Sequence, residues 1–166
     1  TREGVLFGDT NIIASEAETI RWGVYISNVG NVRSYSFSMV VGGSGATVAE
    51  MTWSTSKNIP EQEKLFDGLV NAAFAYLLPS IHGKIQQRID QGESVRIGPT
   101  SVTKAGVLLT VEGWFSNHEE ICPWSRLKAD LSNGDLVLTD SANRKARSTM
   151  ALKDTDNAFV LYIMAK

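Results

Sequence analysis

The chain has few of the residue types that metal and nucleophilic sites most often use. Its 166 residues include one cysteine, Cys122, and two histidines, His82 and His118. One cysteine cannot form an internal disulfide, and these three residues are too few and too far apart in sequence for a zinc site. We therefore predict a fold without cross-links, with no bound metal and no cofactor.

Neither sign of charge is in excess. The chain has 16 Lys and Arg against 18 Asp and Glu, a net charge of −2. Such a balance creates no global field that attracts nucleic acid or an anionic membrane. We therefore expect no nucleic-acid partner, and membrane binding requires a local basic patch.

Long hydrophobic runs are also missing. The longest mostly apolar run, 69–78, includes Asn71 and is about half of the roughly 20 residues that span a bilayer. Nothing at the start resembles a signal peptide. Because the chain begins at Thr1 rather than at methionine, we expect a piece of a longer, bacterial or membrane-associated parent, located in the cytoplasm.

What the chain does have is an ordinary globular composition and clear periodicity. Hydrophobic residues make up 43% and charged residues 20%, and this length is sufficient for one well-buried core. We predict a single compact domain over 1–166. A weak internal symmetry, a strand meander followed by a helix in each half, leaves open two halves of about 1–92 and 93–166.

The first half predicts a meander and then a long helix. Apolar and polar residues alternate over 19–27, 32–41 and 46–53, the period of half-buried strands. From Pro60 to Gln91 the apolar spacing becomes helical. An unbroken helix of that length would measure roughly 48 Å, so we expect Pro79 to kink or split it.

After Gly92 the strand pattern returns. The predicted strands are 94–98, 101–115, 119–124, 125–131 and 135–140, with a further short one near Met150. An Asn133-Gly134 turn places Leu131 opposite Leu136 and Ala129 opposite Leu138, so one face is apolar. A short helix or last strand follows Asn157. Grouped strands and helices predict an α+β fold with mainly antiparallel sheets.

Part of the second half is similar to a known family. The segments are "GVLLTVEGWF" (106–115), "EEICPWSRLKADLSNGDLVLTD" (119–140) and "NAFVLYIM" (157–164). They resemble pleckstrin-homology-like modules of the PH and GRAM type over roughly 94–166, and 1–92 resembles a second copy more thinly. The resemblance implies a PH-like roll, or two fused halves, and a role in binding or scaffolding. The dense basic cluster that lipid-binding members carry in their first hairpin loop is missing.

The stretch around Cys122 gathers reactive residue types without forming a catalytic set. If extended, His118 and Cys122 lie about 13 Å apart, and Pro123 disfavours the helix that would join them. Successive Glu119 and Glu120 then point to opposite faces of the strand. We predict that Cys122 is a small buried apolar residue.

Two other features are candidates for binding. Arg144, Lys145 and Arg147 form the densest basic cluster, in a predicted loop, and are a candidate site for an anionic ligand. The four tryptophans lie on strand patterns, and most are expected in the core. Trp124, beside Pro123, is the candidate for a partner contact.

We therefore predict a non-enzymatic binding or scaffolding module of PH-like type, with a protein or a membrane-surface lipid as partner. A homodimer stays open because long helices and edge strands are available for pairing. One alternative is a carrier of small apolar ligands, with a pocket lined by Phe74, Leu77 and Trp53. The other is an enzyme that uses Cys122 with His82 or His118.

Overall fold

A computed structural model describes residues 4–7, 10–44, 46–113 and 116–166, with side chains from residue 12 onward except those of 45–48, 114 and 115. The described residues form an α+β fold with antiparallel sheets, which confirms the predicted class. The elements, in chain order, are β1 (Gly4–Phe7), β2 (Thr10–Ile13), β3 (Thr19–Val29), β4 (Val32–Gly43), β5 (Ala46–Thr55), α1 (Ile59–Tyr76), α2 (Leu78–Asp90), β6 (Val95–Ile97), β7 (Thr100–Thr103), β8 (Gly106–Val111), β9 (His118–Pro123), β10 (Leu127–Ser132), β11 (Asp135–Asp140), β12 (Ala146–Ala151) and α3 (Ala158–Met164).

The chain divides into two compact units, Thr1–Gly83 and Lys84–Lys166. Their boundary falls inside α2, upstream of the position near residue 92 that the sequence suggested for two halves. That the whole chain forms a single domain stays a prediction.

The first unit contains the predicted meander, in which β4 lies between β3 and β5. Trp22 pairs with Met39, and Phe37 pairs with Trp53. Since side chains alternate between the two faces of a strand, this register gathers the large apolar residues of all three strands on one face.

Helix α1 contacts that face through aromatic rings. The Phe66 ring lies 5.3 Å from Phe37 and 5.8 Å from Trp53, and Phe74 meets Trp22 edge-on at 5.1 Å. These centroid distances lie within the range in which aromatic pairs attract beyond simple burial. The helical spacing of Phe66 and Phe74 therefore fixes α1 across the sheet.

The opposite face of the same sheet carries hydroxyl groups. Ser27 and Ser34 are hydrogen-bonded at 2.8 Å, and Ser36 and Ser54 at 2.6 Å, each pair directly across neighbouring strands. Thr52 and Ser54 are exposed. The serines that alternate with apolar residues in β4 thus form the solvent side of the sheet.

The long helical segment consists of two helices that meet at Leu77. Pro60 is the second residue of α1 and Pro79 is the second residue of α2, positions whose missing N–H breaks no helical hydrogen bond. At the end of α2, Gly92 has a φ of +88°. Its N–H donates to the Ile89 carbonyl at 3.0 Å, so this glycine stops the helix as the sequence predicted.

The second unit is built on a seven-stranded antiparallel sheet. Its strands follow the order β10-β11-β12-β8-β7-β6, and β9 pairs with the other edge of β8. The predicted register of the β10–β11 hairpin is confirmed, with Leu131 opposite Leu136 and Ala129 opposite Leu138. Asn133, at φ +53°, and Gly134, at φ +83°, form its turn.

One strand prediction in this unit was wrong. Residues 101–115 were expected as one strand, but Lys104 and Ala105 form a turn between β7 and β8. Gly106 follows with a φ of +150°, in the region that glycine adopts readily. A β-carbon there would lie 2.1 Å from the Cys122 carbonyl oxygen, so only glycine allows β9 to approach β8 so closely.

The C-terminal segment is the predicted short helix, α3, rather than a strand. Ala158, Val160 and Leu161 are buried, and α3 packs near β11. Asn157 precedes the helix with a φ of +62° and makes no side-chain cap hydrogen bond.

Candidate functional site

Strand β9 carries Cys122 and runs antiparallel to β8. Cys122 lies opposite Val107, is 1% exposed, and its thiol lies 3.6 Å from the Pro123 carbonyl oxygen. Cys122 is therefore the buried residue that the sequence predicted.

The environment of Cys122 disfavours the thiolate. Burial is the main cause that raises the pKa of the thiol, to about 11 from an ordinary value of 9.0, and the nearby Asp140 carboxylate adds to it. The Arg126 guanidinium acts in the opposite direction and only partly offsets these effects. Since the thiolate is the nucleophile, this cysteine is held in its unreactive form.

The other reactive residues near Cys122 do not join it. His118 is exposed at the start of β9, and Cys122 lies near the end of the same extended strand. Glu119 and Glu120 occupy successive positions on β9, and Glu120 accepts a hydrogen bond from the Asn143 side chain at 3.3 Å. The described geometry of β9 thus brings together neither the His–Cys pair nor the two carboxylates.

An ion pair between the buried Asp140 and the half-exposed Arg126 lies beside the cysteine and was not predicted from the sequence. Asp140, 2% exposed, accepts hydrogen bonds from Arg126 Nη2 and from the Ala142 N–H, both at 2.8 Å. Arg126 lies in the turn between β9 and β10. Its backbone carbonyl accepts a hydrogen bond from the Ser141 N–H at 2.9 Å. The pair joins this turn to the end of β11, and no local sequence pattern marks two residues 14 positions apart as partners.

Trp124 lies in the same turn and is half-buried. Its indole N–H donates to the Thr103 carbonyl at 3.2 Å. The side chain thereby attaches the β9–β10 turn to the end of β7, and part of its surface stays open to solvent. Its role as a partner contact stays a prediction.

The basic cluster lies at the turn between β11 and β12. Arg144 and Lys145 are in the turn, Arg147 is on β12, and all three are exposed. We refer to these three residues as the cationic turn. Asn143 shapes it, because its side-chain oxygen accepts from the Lys145 N–H at 3.2 Å and its carbonyl accepts from the Ala146 N–H at 2.9 Å.

The acids near the cationic turn in sequence are largely engaged elsewhere. Asp140 pairs with Arg126, and Asp154 pairs with Lys153 at 2.8 Å. Glu112 lies beside the turn through a backbone hydrogen bond to the Lys145 carbonyl at 3.3 Å. Among the described residues no acid forms an ion pair with the cationic turn, so its charge faces solvent.

The residues proposed for an apolar pocket pack within the first unit instead of lining a described cavity. Leu77 is fully buried, and Phe74 and Trp53 take part in the aromatic contacts of α1. The buried Trp53 indole N–H has no hydrogen-bond partner among the described residues. Leaving such a donor unsatisfied costs roughly 1–3 kcal/mol of folding free energy, which the packing of the Trp53 ring against Phe37 and Phe66 must offset. Trp22 is also in this core, and Trp114 lies outside the described residues.

The first unit does have an open groove of about 590 Å³ elsewhere, next to α1 and the start of α2. Its lining is Ile13, Ala14, Ser15, Ala75, Tyr76, Pro79 and Ser80.

Within the described ranges, no group of three or more His, Cys, Asp or Glu residues could hold a metal ion. No helix in those ranges is both long and apolar enough to cross a membrane.

Comparisons of the chain with protein-family models, with curated proteins and with solved structures found no match.

Proposed function

We propose that the chain is a non-enzymatic binding module of pleckstrin-homology-like type whose partner is an anionic membrane surface. The observation that carries this proposal is the cationic turn, which presents three exposed basic side chains that form no ion pair with an acid among the described residues. A protein with an acidic surface would use the same charge and is an outcome that the experiment separates.

The arrangement of the second unit supports a PH-like interpretation. A four-strand meander, β6 to β9, is followed by a three-strand meander, β10 to β12, and then by helix α3. Strand β12 pairs with β8 and so joins the two meanders. The β10–β11 hairpin with Gly134 in its turn and the closing helix α3 correspond to features that the sequence resemblance implies for such a module.

The energy available at the cationic turn is modest. Each Lys or Arg near an anionic leaflet contributes about 1 kcal/mol, and the attraction falls off within a Debye length of about 10 Å at 0.1 M salt. Three cations therefore support weak, salt-sensitive binding that is suited to a module within a larger membrane-associated protein.

Vesicle sedimentation tests the proposal. Vesicles with and without phosphatidylserine are mixed with the native chain and with an Arg144→Ala plus Arg147→Ala variant. We expect binding to the anionic vesicles only, and roughly a 30-fold weaker association for the variant, because two cations of about 1 kcal/mol each are lost.

The matched control removes two cations elsewhere on the second unit. Arg96→Ala plus Lys104→Ala changes the net charge by the same amount at exposed positions on β6 and in the β7–β8 turn, which the strand order separates from β12. We expect this variant to bind almost as well as the native chain. Equal weakening by both pairs would mean that only net charge matters, and full binding by the Arg144 and Arg147 variant would refute the proposed site.

A further inference from the structure

Exposed apolar side chains are concentrated at one hairpin of the first unit. Among the described residues, half of the large hydrophobic side chains that are exposed lie between Val24 and Val32. At the end of the hairpin Val29 is 75% exposed and Val32 is 56% exposed. We call residues 24–33, from β3 through the turn into β4, the hairpin tip.

The exposed side chains lie on both faces of the hairpin tip. Val24 and Ile26 share the face that α1 covers further along the sheet, whereas Val29 and Val32 lie opposite each other on the other face. Val29 and Val32, at the end of the hairpin, are the side chains that a lipid interface would remove from water first.

The backbone of the tip suits insertion to a limited depth. β3 and β4 stay paired to Val29 and Val32, and Gly30, at φ +60°, begins the two-residue turn that closes them. Because β5 ends opposite Tyr35, the last three residue pairs project as a two-stranded ribbon of about 10 Å. That length matches the roughly 5–10 Å to which apolar groups of peripheral proteins enter the interface.

Within the chain segment that forms the hairpin, the charged side chains have one sign. Between Glu18 and Glu50 the chain contains Arg21 and Arg33 and no acidic residue. The Arg33 guanidinium lies over the Tyr35 ring at 5.2 Å, where a cation and an aromatic ring are placed together just behind the valines. Tyrosine and basic side chains at such a level are typical of groups that lie at lipid headgroups.

We propose that the hairpin tip inserts Val29 and Val32 into the interface of an anionic bilayer. This inference rests on the proposed function in taking a membrane surface as the partner. It depends on residues of the first unit and on apolar burial, whereas the proposed function depends on cations of the second unit. The two are therefore separable by variants.

A fluorescent label at the turn tests insertion directly. Asn31→Cys places a thiol in the exposed turn, and the buried Cys122, with its pKa raised to about 11, should stay unlabelled in the folded protein. With phosphatidylserine vesicles we expect a blue shift of an environment-sensitive dye, protection from iodide, and quenching by spin-labelled lipid. A dye at Ser132→Cys, at the exposed end of β10 in the second unit, is the control and should show none of these changes.

A pair of substitutions tests the energetic role of the valines. Val29→Ser plus Val32→Ser keeps strand-compatible side chains and should lower vesicle partitioning about tenfold, because two partly inserted apolar groups are lost. Ile121→Ser plus Leu131→Ser removes two exposed apolar side chains of the second unit and should leave partitioning unchanged. Unchanged circular dichroism confirms that each variant is folded.

The outcomes separate this inference from the proposed function. A dye that stays in water while vesicles still bind through Arg144 and Arg147 overturns insertion and leaves the proposed function standing. Loss of binding with the valine variant but not with the arginine variant supports insertion and refutes the cationic turn. A blue shift that depends on protein concentration without vesicles shows a second copy over the tip and overturns insertion.

Discussion

At the residue scale, the environment of Cys122 determines its chemistry more than its identity does. A lone thiol near histidine and glutamate residues suggests a nucleophile, but an exposed His118 at the other end of β9 cannot activate it. Burial in the sheet and the neighbouring Asp140 carboxylate raise its pKa to about 11. The thiol is therefore expected to act as a packing group.

The first prediction concerns the reactivity and pH response of this thiol. Iodoacetamide should label Cys122 slowly in the folded protein and rapidly after unfolding in urea. Between about pH 9 and pH 11 the unfolded thiol loses its proton while the folded thiol keeps it, so the free energy of unfolding should fall as pH rises through that window. Urea denaturation at several pH values measures this fall.

Cys122→Ala is the control, because other groups also titrate at high pH. Its stability should depend less on pH in the same window than that of the native chain. Rapid labelling of the folded protein, or identical pH profiles for the two proteins, would contradict the account of Cys122.

The second prediction concerns the ion pair between the half-exposed Arg126 and the buried Asp140. Arg126→Ala should lower the free energy of unfolding by about 1–2 kcal/mol, because it leaves a buried carboxylate with one hydrogen bond fewer while water replaces the exposed part of the guanidinium. Lys153→Ala removes a cation of the same charge from an ion pair in which both side chains are largely exposed. Lys153→Ala should change the free energy of unfolding by less than about 0.5 kcal/mol. If urea denaturation gave equal losses for Arg126→Ala and Lys153→Ala, the burial of Asp140 would not be decisive.

At the scale of elements, position 106 requires glycine because strands β8 and β9 approach each other closely there. Gly106→Ala should destabilise the protein by about 3 kcal/mol or more, because the added methyl would overlap the Cys122 carbonyl of β9. Gly68→Ala is the matched control in α1, where nothing lies within 4 Å of the new carbon. It should stabilise the protein by about 0.5–1 kcal/mol, and thermal unfolding of both variants measures the contrast.

The elements that the sequence predicted well are those specified by local pattern. The register of the β10–β11 hairpin follows from its Asn133-Gly134 turn and from alternation in both strands. The turn at Lys104 and Ala105 was missed because neither residue is a typical turn former. Strands β1 and β2 were also missed, although the Gly8-Asp9 pair between the two apolar runs is a local hairpin signal in the sequence.

Exposure was harder to predict than strand position. Val24 and Ile26 continue the apolar face of Trp22, yet they are exposed. The sequence pattern specifies which face a side chain occupies, whereas the path of α1 determines how much of that face is covered. The hairpin tip could therefore be recognised only from the structure.

At the scale of the whole molecule, two compact units carry two different candidate surfaces. The cationic turn was predicted from a local cluster of basic residues, and its exposure is confirmed at Arg144, Lys145 and Arg147. Its electrostatic setting was not predictable, because the pairing of Asp140 with Arg126 joins residues from separate strands. The central claim is therefore that the chain binds an anionic membrane surface.

The most direct test is the equilibrium binding of the native chain to vesicles as a function of phosphatidylserine content and salt. We expect association to rise steeply with the anionic lipid fraction and to weaken by several-fold between 0.05 M and 0.2 M salt, because the charges involved are exposed. Binding that is absent at every composition, or equal on neutral and anionic vesicles, would contradict the account.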